Sequence, residues 1–557
     1  MDFSQIAILL VVAATFGIIA KRFRQPILIG YLFAGFVLAL FGVLDDTSLI
    51  VGLGKVGIAL LLFLVGLEMN LKELPSIGKV ALVTGLIQIC FTFTTALLIA
   101  LLIGFSIIPA AYIGIAMSFS STIIIIKLLS EKNDLGSLYG KIAVGFLLVQ
   151  DLVAILILVF LSGLSNGGNT VSSYILIAIK AIVLLGLVWF LSKKVLPKLF
   201  ERHIAQSQEL LFIVSIAWAL GVASLVAGPF GFTLEVGGFL AGLALSNLPE
   251  HLEIASRVRP LRDFFLTIFF LGLGASLVVT GVGGVILPAL VFSTVVLVGN
   301  PIIMMSVLGF MRFKKRTSFL ASVTVAQISE FSLIIVGVGA TLGHLTDQVV
   351  ALTVMVAAIT MTASTYLILG ANKVYLRIQD KLSIFERKNP RESILIEKEE
   401  KLKEHIVLVG CDKTGRALLP LLKKKNVRYL IIDFNPGVVE ELIADKEPVI
   451  FGDIGDPEII DIANIKAASM IISTASSLSD NLVLLEYIKL LSSRPMSIFT
   501  ALTRKEAIKL YEKGATYVVV PSIAAGEHFR YVFRTYGFGS ERIKKMGEAS
   551  FNRLIAR

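Results

Sequence analysis

The sequence predicts a polytopic α-helical membrane protein of about 13 transmembrane helices, followed by a C-terminal α/β domain. Of the 557 residues, 56% are hydrophobic and 16% charged, whereas a typical soluble domain is about 25% charged. Residues 1–371 hold only 21 of the 51 Lys and Arg residues and 16 of the 40 Asp and Glu residues. From residue 404 onward, short β-rich runs alternate with helical segments. A single water-soluble globule is therefore excluded, and residues 1–371 are expected to form a membrane domain.

Thirteen stretches are apolar enough to cross a bilayer as helices, which takes about 20 residues each. They are residues 4–20, 26–43, 51–69, 77–103, 107–129, 140–163, 171–191, 208–228, 232–247, 262–279, 282–311, 317–342 and 347–370. The N-terminal sequence MDFSQIAILL has neither the basic leader nor the small-residue cleavage site of a signal peptide. We therefore expect it to begin a retained span.

Basic residues occupy every second connection between these spans. The basic connections contain Lys21, Arg22 and Arg24; Lys72 and Lys79; Lys127, Lys132 and Lys141; Lys193, Lys194, Lys198 and Arg202; Arg257, Arg259 and Arg262; and Arg312, Lys314, Lys315 and Arg316. Because cytoplasmic loops collect Lys and Arg, the N-terminus is expected outside the cell membrane and the region after residue 371 in the cytoplasm. The net charge of +11 then reflects topology, so membrane lipid is the expected partner and nucleic acid is not.

Few charged residues lie inside the spans, where a charge is costly and indicates a functional site. Asp151 lies in the sixth span, in GFLLVQDLVAILILVF, and its short side chain cannot reach the membrane surface. Glu330 lies midway along the twelfth span. Lys180, in the seventh span, either reaches an interface or pairs with a carboxylate. The remaining charges, near span ends where contact with the interface explains them, are Glu68, Glu235 and Lys55.

Two spans contain clusters of hydroxyl and amide side chains at mid-depth. The fifth span has Ser118, Ser120, Ser121 and Thr122, and the twelfth has Ser322, Thr324, Gln327, Ser329, Glu330 and Ser332. Such hydroxyls either bond back to the preceding helical turn or mark an unwound helix whose free groups coordinate an ion. The two spans are seven apart and so cross in opposite directions. Paired broken helices in inverted repeats are typical of secondary transporters.

The C-terminal region predicts a parallel α/β sheet of Rossmann type. Its strands are expected at residues 405–410, 427–433, 447–453, 469–475, 496–502 and 515–521. Residues 372–403 form a charged linker, residues 404–525 the domain, and residues 526–557 a tail. The two cysteines, Cys90 and Cys411, form neither a disulfide framework nor a Cys-rich metal site, and no transition metal is expected.

The first strand ends in a sequence that approximates the dinucleotide fingerprint. Gly410 and Gly415 flank this turn, and Asp433 ends the second strand, where an acidic residue binds ribose hydroxyls. Asp412 occupies the position where glycine admits a pyrophosphate. The site therefore holds a mononucleotide such as AMP, or NAD(H) in an altered mode, or has lost nucleotide binding. The candidate cofactor residues are Gly410, Cys411, Asp412, Gly415, Asp433, Asp453 and Thr474.

These residues resemble the monovalent cation:proton antiporter-2 family, particularly its Kef-type members. The matching segments are RQPILIGYLFAGFVL (24–38), LLLFLVGLEMNLKEL (60–74), SFSSTIIIIKLL (118–129), VQDLVAI (149–155), LEVGGFLAGLALS (234–246) and AQISEFSLII (326–335). The C-terminal region resembles the regulator-of-potassium-conductance (TrkA-N) domain, including FGDIGDPEII (451–460). The resemblance implies a homodimer with a sodium/proton-antiporter-like fold, in which spans four to six and eleven to thirteen form a core that moves like an elevator.

Carried over by position, the resemblance makes Asp151 the ion-binding carboxylate, to which a monovalent cation and a proton bind in turn. Gln150 stands where sodium-type relatives have a second Asp, and the Gln-Asp pair favours K⁺ over Na⁺. The other implied ion-binding residues are Ser120, Ser121, Thr122, Glu330 and Asn300, the last at a position where many relatives have Lys before a Pro. One exchanging carboxyl predicts electroneutral exchange.

Two other classes of function, a potassium channel and an NAD enzyme, are weighed against a transporter. A ligand-gated potassium channel would need a selectivity-filter loop such as TVGYG, which the sequence lacks. A membrane-anchored NAD enzyme would need catalytic groups and a substrate domain, and neither accompanies the predicted sheet. We therefore expect a regulated transporter and no enzyme.

Overall fold

The computed structural model describes residues 3–42, 48–68, 78–132, 134, 137–164, 179–180, 183–184, 186–188, 190–200, 207–279, 284–387, 402–455, 457–475, 477–491, 493–537 and 540–555. Most of the predicted seventh span lies outside these residues, as do residues 388–401 of the linker and Lys72 and Arg202 in the basic connections. The chain divides into two compact units. One contains Met1–Leu128, Ile142–Met311 and Lys315–Phe385, and the other contains Leu129–Lys141, Arg312–Lys314 and Glu386–Arg557.

The membrane unit is built from apolar helices. Its first part contains α1 (Phe3–Arg22), α2 (Ile27–Leu40), α3 (Ser48–Glu68), α4 (Gly78–Ile103), α5 (Ile107–Ser118), α6 (Thr122–Glu131) and α7 (Leu138–Leu164). A π turn at Leu191–Val195 continues into the short helix α8 (Leu196–Leu199). Its second part contains α9 (Gln208–Ala227), α10 (Leu234–Leu245), α11 (His251–Val279), α12 (Ile286–Thr294), a π turn (Val295–Gly299), α13 (Asn300–Phe310), α14 (Lys315–Thr324), α15 (Glu330–Thr341), α16 (Asp347–Ile378) and a 3₁₀ turn (Lys381–Phe385).

These helices support the predicted multi-pass membrane protein. Among the described residues, six segments are long and apolar enough to cross a membrane: Gly78–Ile103, Ile107–Glu131, Leu138–Leu161, Gln208–Ala227, Ile286–Phe310 and Asp347–Ile378. Shorter apolar helices occupy Ile27–Leu40, Gly52–Leu67, Leu234–Leu245 and Glu330–Thr341. The total of 13 spans stays a prediction. The fifth and twelfth spans are each divided in two, so the predicted helix breaks are present.

Glycines allow several of these helices to pack main chain against main chain, which is typical of membrane helices. A side chain at Gly238 would overlap the carbonyl oxygen of Ala59 in α3, and one at Gly242 would overlap that of Phe63. Between α2 and α11 the contacts are reciprocal, because Gly35 meets Leu271 and Gly274 meets Leu32. Helices α2, α3, α10 and α11 are therefore held at distances that only glycine permits.

The C-terminal unit is a six-stranded parallel sheet with helices between its strands. The strands are β1 (Ile406–Val409), β2 (Tyr429–Asp433), β3 (Val449–Phe451), β4 (Met470–Ser473), β5 (Met496–Thr500) and β6 (Tyr517–Val519). Their order in the sheet is β3-β2-β1-β4-β5-β6, so both halves run outward from β1 and β4. In register, Ile406 lies beside both Tyr429 and Met470. This is the predicted Rossmann-like topology, with the switch point between β1 and β4.

Helices follow the strands and cover the sheet. They are α17 (Lys413–Lys424), α18 (Pro436–Ala444), α19 (Pro457–Ile462), a 3₁₀ turn (Ile465–Ala467), α20 (Leu478–Leu490), α21 (Arg504–Glu512), α22 (Pro521–Tyr536) and α23 (Ser540–Ile555). Val407, Ile432 and Ile471 of the central strands are buried in one apolar core with Leu484 and Leu485 of α20. The boundary predicted at residue 525 lies inside α22.

Candidate functional site

The first helix break separates α5 from α6 by the three residues Phe119, Ser120 and Ser121. Phe119 is extended, with φ −102° and ψ 145°. The hydroxyl of Ser118 bonds back to Gly114 in its own helix at 2.8 Å, as the simpler reading of the hydroxyl cluster predicted. The next three hydroxyls do not, because each bonds to a residue of another segment. The break therefore turns Ser120, Ser121 and Thr122 toward other helices.

The second break runs from Val325 to Ser329, between α14 and α15. Ser329 is extended and caps α15, since its hydroxyl accepts from the Phe331 N–H at 3.1 Å. Ser332 completes a capping box by accepting from the Ser329 N–H at 3.3 Å, which satisfies free donors at the helix start. The cap places Glu330 as the first residue of α15.

Hydrogen bonds join the two breaks to each other. The Ser120 hydroxyl donates to the carbonyl of Val325 at 3.1 Å, and the Ser332 hydroxyl donates to the carbonyl of Ala116 at 2.6 Å. Ser121 donates to Oε2 of Glu330 at 2.6 Å. Side chains thus replace the backbone partners that unwinding removed, as membrane helices require.

Two carboxylates meet the neighbouring hydroxyls of Ser121 and Thr122. Thr122 donates to Oδ2 of Asp151 at 2.9 Å, while Ser121 donates to Glu330. Glu330 is 4% exposed and Asp151 is only partly buried. The neighbouring hydroxyls of Ser121 and Thr122 thus hold the two carboxyl groups on the same side of the break. A cation next to Asp151 would find oxygen ligands, which hard cations prefer.

Gln150 is fully buried beside this pair and uses its amide to hold the first break. Its Oε1 accepts from the Ser120 N–H at 2.9 Å, and its Nε2 donates to the Ser118 carbonyl at 2.8 Å. The amide therefore bridges the end of α5 and the start of the break. The structure brings together six of the seven predicted ion-binding residues: Asp151, Gln150, Ser120, Ser121, Thr122 and Glu330.

Asn300, the seventh predicted residue, reaches the site through two residues that the sequence analysis did not select. Its Oδ1 accepts from the Thr92 hydroxyl at 2.8 Å, and Thr92 accepts from Gln88, which in turn contacts Gln150. Gln88 and Thr92 lie in α4 and are fully buried. An uncharged polar residue such as Gln88 in an otherwise apolar span was the available signal.

The other charged residues of the spans have separate surroundings. Lys180 donates to the backbone carbonyl of Phe230 at 3.1 Å, so its hydrogen-bond partner here is a backbone carbonyl and not a carboxylate. Glu235 is buried in the first turn of α10. Lys55 is exposed, as a residue near a span end is expected to be.

In the C-terminal unit, the turn after β1 has the geometry of the dinucleotide fingerprint. Gly410 has φ +81°, which favours glycine, and a Cβ at Gly415 would overlap the Gly410 carbonyl oxygen. Both glycines are therefore required by close packing between the turn and α17. Asp412 is exposed and precedes α17 as its N-cap residue, with no hydrogen bond from its side chain to the helix.

Asp433 faces this turn and is 5% exposed. Its Oδ2 accepts from the Cys411 N–H at 2.7 Å and its Oδ1 accepts from the Asn435 N–H at 2.8 Å. Burial raises the pKa of the Asp433 carboxyl, against the opposing effect of the two N–H donors. Burial also raises the pKa of the buried Cys411 thiol to about 11, with a smaller contribution from Asp433. The thiol is therefore neutral and unreactive at ordinary pH.

The last two candidate residues both bond to the main chain. Asp453 accepts from the Gly455 N–H at 2.8 Å, and Thr474 donates to the Gly410 carbonyl at 2.9 Å. The acidic residue at the end of β2, the helix start at α17 and the tight turn fit the adenosine and phosphate groups of a nucleotide. The exposed Asp412 carboxylate is unfavourable for a pyrophosphate. Within the described part of the chain, no group of three or more His, Cys, Asp or Glu residues could hold a metal ion.

Two family models match the chain. The model described as sodium/hydrogen exchanger, transmembrane, matches residues 7–369. The model described as TrkA-N domain matches residues 406–521. These ranges correspond to the membrane unit and the parallel sheet, and together with the relatives YbaL and KefC they confirm the resemblance to Kef-type antiporters with a TrkA-N domain.

Several curated proteins are similar to this chain. YbaL of Escherichia coli (strain K12), named as a cation/proton antiporter, is 27% identical over 493 residues, which cover 84% of this chain and 85% of YbaL. The glutathione-regulated potassium-efflux system protein KefC of Shigella flexneri serotype 5b is 26% identical over 85% of this chain and 75% of KefC. K(+) efflux antiporter 5 of Arabidopsis thaliana is 30% identical over 60% of each chain. Among solved structures, the TrkA-N domain of Escherichia coli YbaL is 20% identical, covers 24% of this chain and 98% of its own, and has a TM-score of 0.23.

Proposed function

Because the chain belongs to the sodium/hydrogen exchanger family, we propose that it is a secondary active antiporter that exchanges a monovalent cation for a proton across the cell membrane. The observation that carries this proposal is the position of Asp151. It is a partly exposed carboxylate at the crossing of two broken helices, with the Thr122 hydroxyl at 2.9 Å and Glu330 close by. Paired broken helices of this kind hold the substrate ions of secondary transporters.

Exchange follows from the cost of moving a bare carboxylate through a bilayer. Ionised Asp151 binds one dehydrated cation, and the Thr122 hydroxyl oxygen supplies a further ligand. A proton competes for the same carboxylate and displaces the cation. Either ligand neutralises Asp151, and only the neutral site crosses at low cost. Cation movement in one direction is thereby coupled to proton movement in the other.

Glu330 acts in this scheme as a fixed neighbour of the exchanging carboxylate. Ser121 and Thr122 each donate to one of the two carboxylates, so the break holds them side by side. Glu330 keeps one protonation state throughout the cycle. One cation then replaces one proton at Asp151, and the exchange is electroneutral.

Proteoliposomes that contain the full chain test this proposal. A pH-sensitive dye inside the vesicles reports proton movement when K⁺ or Na⁺ is added outside. We expect cation-driven proton movement whose rate is the same at imposed membrane potentials of either sign. A transport current that depends on voltage would contradict a single exchanging carboxyl. Passage of K⁺ without proton movement would instead indicate the ligand-gated channel.

We propose K⁺ as the preferred cation. The Gln-Asp pair at residues 150 and 151 supports this choice, as do the names of the relatives KefC and K(+) efflux antiporter 5. The alternating Lys and Arg residues support an external N-terminus and a cytoplasmic C-terminal unit. A homodimer with an elevator-like core completes the proposal. Half-saturating concentrations of K⁺ and Na⁺ in the same vesicle assay rank the two ions.

The C-terminal unit is proposed to regulate transport by binding AMP or NAD(H). Asp433 would accept a ribose hydroxyl, and the start of α17 would lie next to phosphate, as in other Rossmann-like sites. When bound, the nucleotide would supply charge and contacts that bias the regulatory unit, with no chemical change of its own. Binding of radiolabelled AMP and NADH to the full chain, together with transport rates in their presence, tests this role. Asp433→Ala should abolish binding of the active nucleotide.

A further inference from the structure

A line of buried, uncharged side chains leads away from the first helix break. Nε2 of Gln150 donates to Oε1 of Gln88 at 2.8 Å, and Nε2 of Gln88 donates to the Thr92 hydroxyl at 3.0 Å. The Thr92 hydroxyl donates to Oδ1 of Asn300 at 2.8 Å. All four residues are 0% exposed. We name these four residues the amide chain; it joins helices α7, α4 and α13.

Two backbone groups, the Ser118 carbonyl and the Ser120 N–H, fix the orientation of the Gln150 and Gln88 amides. The Ser120 N–H can only donate, so the oxygen of the Gln150 amide must face it. The Ser118 carbonyl can only accept, so the amide nitrogen must face that side. The second hydrogen of this nitrogen goes to Gln88, whose own nitrogen donates to the Thr92 hydroxyl, and Thr92 donates to Oδ1 of Asn300. A reversed amide at Gln150 or Gln88 would leave like groups facing each other.

The far end of the amide chain is held by an irregular helix. Asn300 begins α13 directly after the π turn Val295–Gly299, and Pro301 follows it. Proline lacks an N–H and crowds the carbonyl four residues earlier, so a widened turn accommodates it. Nδ2 of Asn300 is buried and has no hydrogen-bond partner among the residues described. A buried unpaired donor costs about 1–3 kcal/mol, whereas the oxygen of the same amide is paired with the Thr92 hydroxyl.

We propose that Gln88, Thr92 and Asn300 are positioning residues for cation binding. They hold the Gln150 amide in the one orientation that bonds to both Ser118 and Ser120. This orientation fixes the short unwound segment and, with it, the hydroxyls of Ser121 and Thr122 that face the two carboxylates. Loss of the amide chain lets the segment relax, so the cation loses a preformed set of oxygen ligands. The inference rests on the proposed exchange of a cation at Asp151.

The test compares two substitutions at Thr92 in the full chain. Thr92→Val keeps the shape of the side chain and removes both hydrogen bonds, whereas Thr92→Ser keeps the hydroxyl. Thr94→Val, on the same helix, is the matched control, because the exposed Thr94 hydroxyl bonds back to the Cys90 carbonyl at 2.7 Å. The assay gives the half-saturating cation concentration and the maximal rate of proton movement in proteoliposomes.

We expect Thr92→Val to raise the half-saturating concentration about tenfold, the equivalent of about 1.4 kcal/mol of one hydrogen bond, with a maximal rate within about twofold of the unaltered protein. Thr92→Ser and Thr94→Val should resemble the unaltered protein. A merely structural role predicts a lower yield of active protein with unchanged cation affinity, and that result would overturn the inference. So would equal defects in Thr92→Val and Thr92→Ser.

Two additions separate this inference from the proposed function. Cation-induced thermal stabilisation of the purified chain measures binding without transport, and Thr92→Val should again need about ten times more cation. If the unaltered protein binds cation but moves no protons, the proposed exchange fails while the positioning role is still measured. If Thr92→Val does not fold, Gln88→Met removes the preceding link of the amide chain and carries the same expectation.

Discussion

Asp151 and Asp433 are both carboxylates set among apolar segments, yet the two units hold them differently. Asp433 is 5% exposed and receives two backbone N–H groups, one on each oxygen. Asp151 is partly exposed and receives the hydroxyl of Thr122. A carboxylate has room for about four hydrogen bonds or ligands. The Thr122 hydroxyl takes one of these places on Asp151, whereas backbone N–H groups take two on Asp433.

The difference separates a carboxylate that holds the chain from one that can exchange its partner. The two N–H donors tie Asp433 to the turn that starts α17, so removal of its charge should first affect the local fold. Asp151 is bonded to one hydroxyl, that of Thr122, and a cation or a proton can bind beside it. Removal of its charge should therefore affect transport and leave the fold intact. The following experiments test this distinction at each site.

Asp151→Asn should give the largest effect. It removes the charge that a cation and a proton neutralise in turn. Cation-driven proton movement in proteoliposomes should therefore fall by about 100-fold or more. Size-exclusion chromatography should show that the protein remains folded. Asp380→Asn, at an exposed position after α16, is the control and should transport normally. Substantial exchange by Asp151→Asn would contradict its role.

Thr122→Val should have a smaller effect at the same site. The substitution keeps the volume of the side chain but removes the hydroxyl that contacts Asp151 at 2.9 Å. A hydrogen bond to a charged group contributes about 1.5–3 kcal/mol, so we expect the half-saturating cation concentration to rise about tenfold. Thr122→Ser should restore it. If Val and Ser behave alike, the hydroxyl has no part in cation binding.

Asp433→Asn should chiefly affect the structure of the turn after β1. An amide nitrogen in place of one oxygen would face a backbone N–H of Cys411 or Asn435. We expect a loss of about 1–3 kcal/mol in local stability, measured as faster hydrogen exchange at these two amides. Asp445→Asn, at the exposed end of α18, should leave both rates unchanged. Unaltered exchange in Asp433→Asn would show that the carboxylate does not hold the turn.

The smallest effect concerns pH. Burial raises the pKa of Asp433 in the folded domain, so the folded state binds a proton more readily than the unfolded chain does. The contribution of this residue to stability is therefore greatest below the ordinary carboxyl pKa and falls as pH rises through the raised value. Hydrogen exchange at the core amides of β1 and β2 as a function of pH measures it. The same profile in Asp433→Asn should lack this component.

The sequence predicted the fold and much of the membrane site because the relevant signals are local. A charge in an apolar span identifies Asp151, and clustered hydroxyls predict both helix breaks. The regular spacing of the strands predicts the parallel sheet, and its register confirms it. Each of these features depends on residue type at a position and on little else.

The parts of the two sites that were not predicted depend on contacts between distant segments. Such contacts cannot be identified from a single sequence. Gln88 stands out as a polar residue in an apolar span, but its connection to Asn300 through Thr92 joins residues about 200 positions apart and appears only in the structure. The π turn before Asn300 was not predicted from the sequence, although Pro301 favours such a widened turn. Likewise, the fingerprint predicted Asp433 as a ribose ligand, whereas its bonds to Cys411 and Asn435 follow from the path of the backbone.

The glycine contacts among α2, α3, α10 and α11 have a mechanical consequence. Side chains between two helices can change rotamer and let the helices slide, but two main chains in direct contact cannot. Gly238 and Gly242 let the main chains of α10 and α3 pack in direct contact, and Gly35 and Gly274 do the same for α2 and α11. These four helices would therefore resist shear as a single stiff frame. Any displacement of α7, the helix that carries Asp151, would have to take place along surfaces where side chains are in contact.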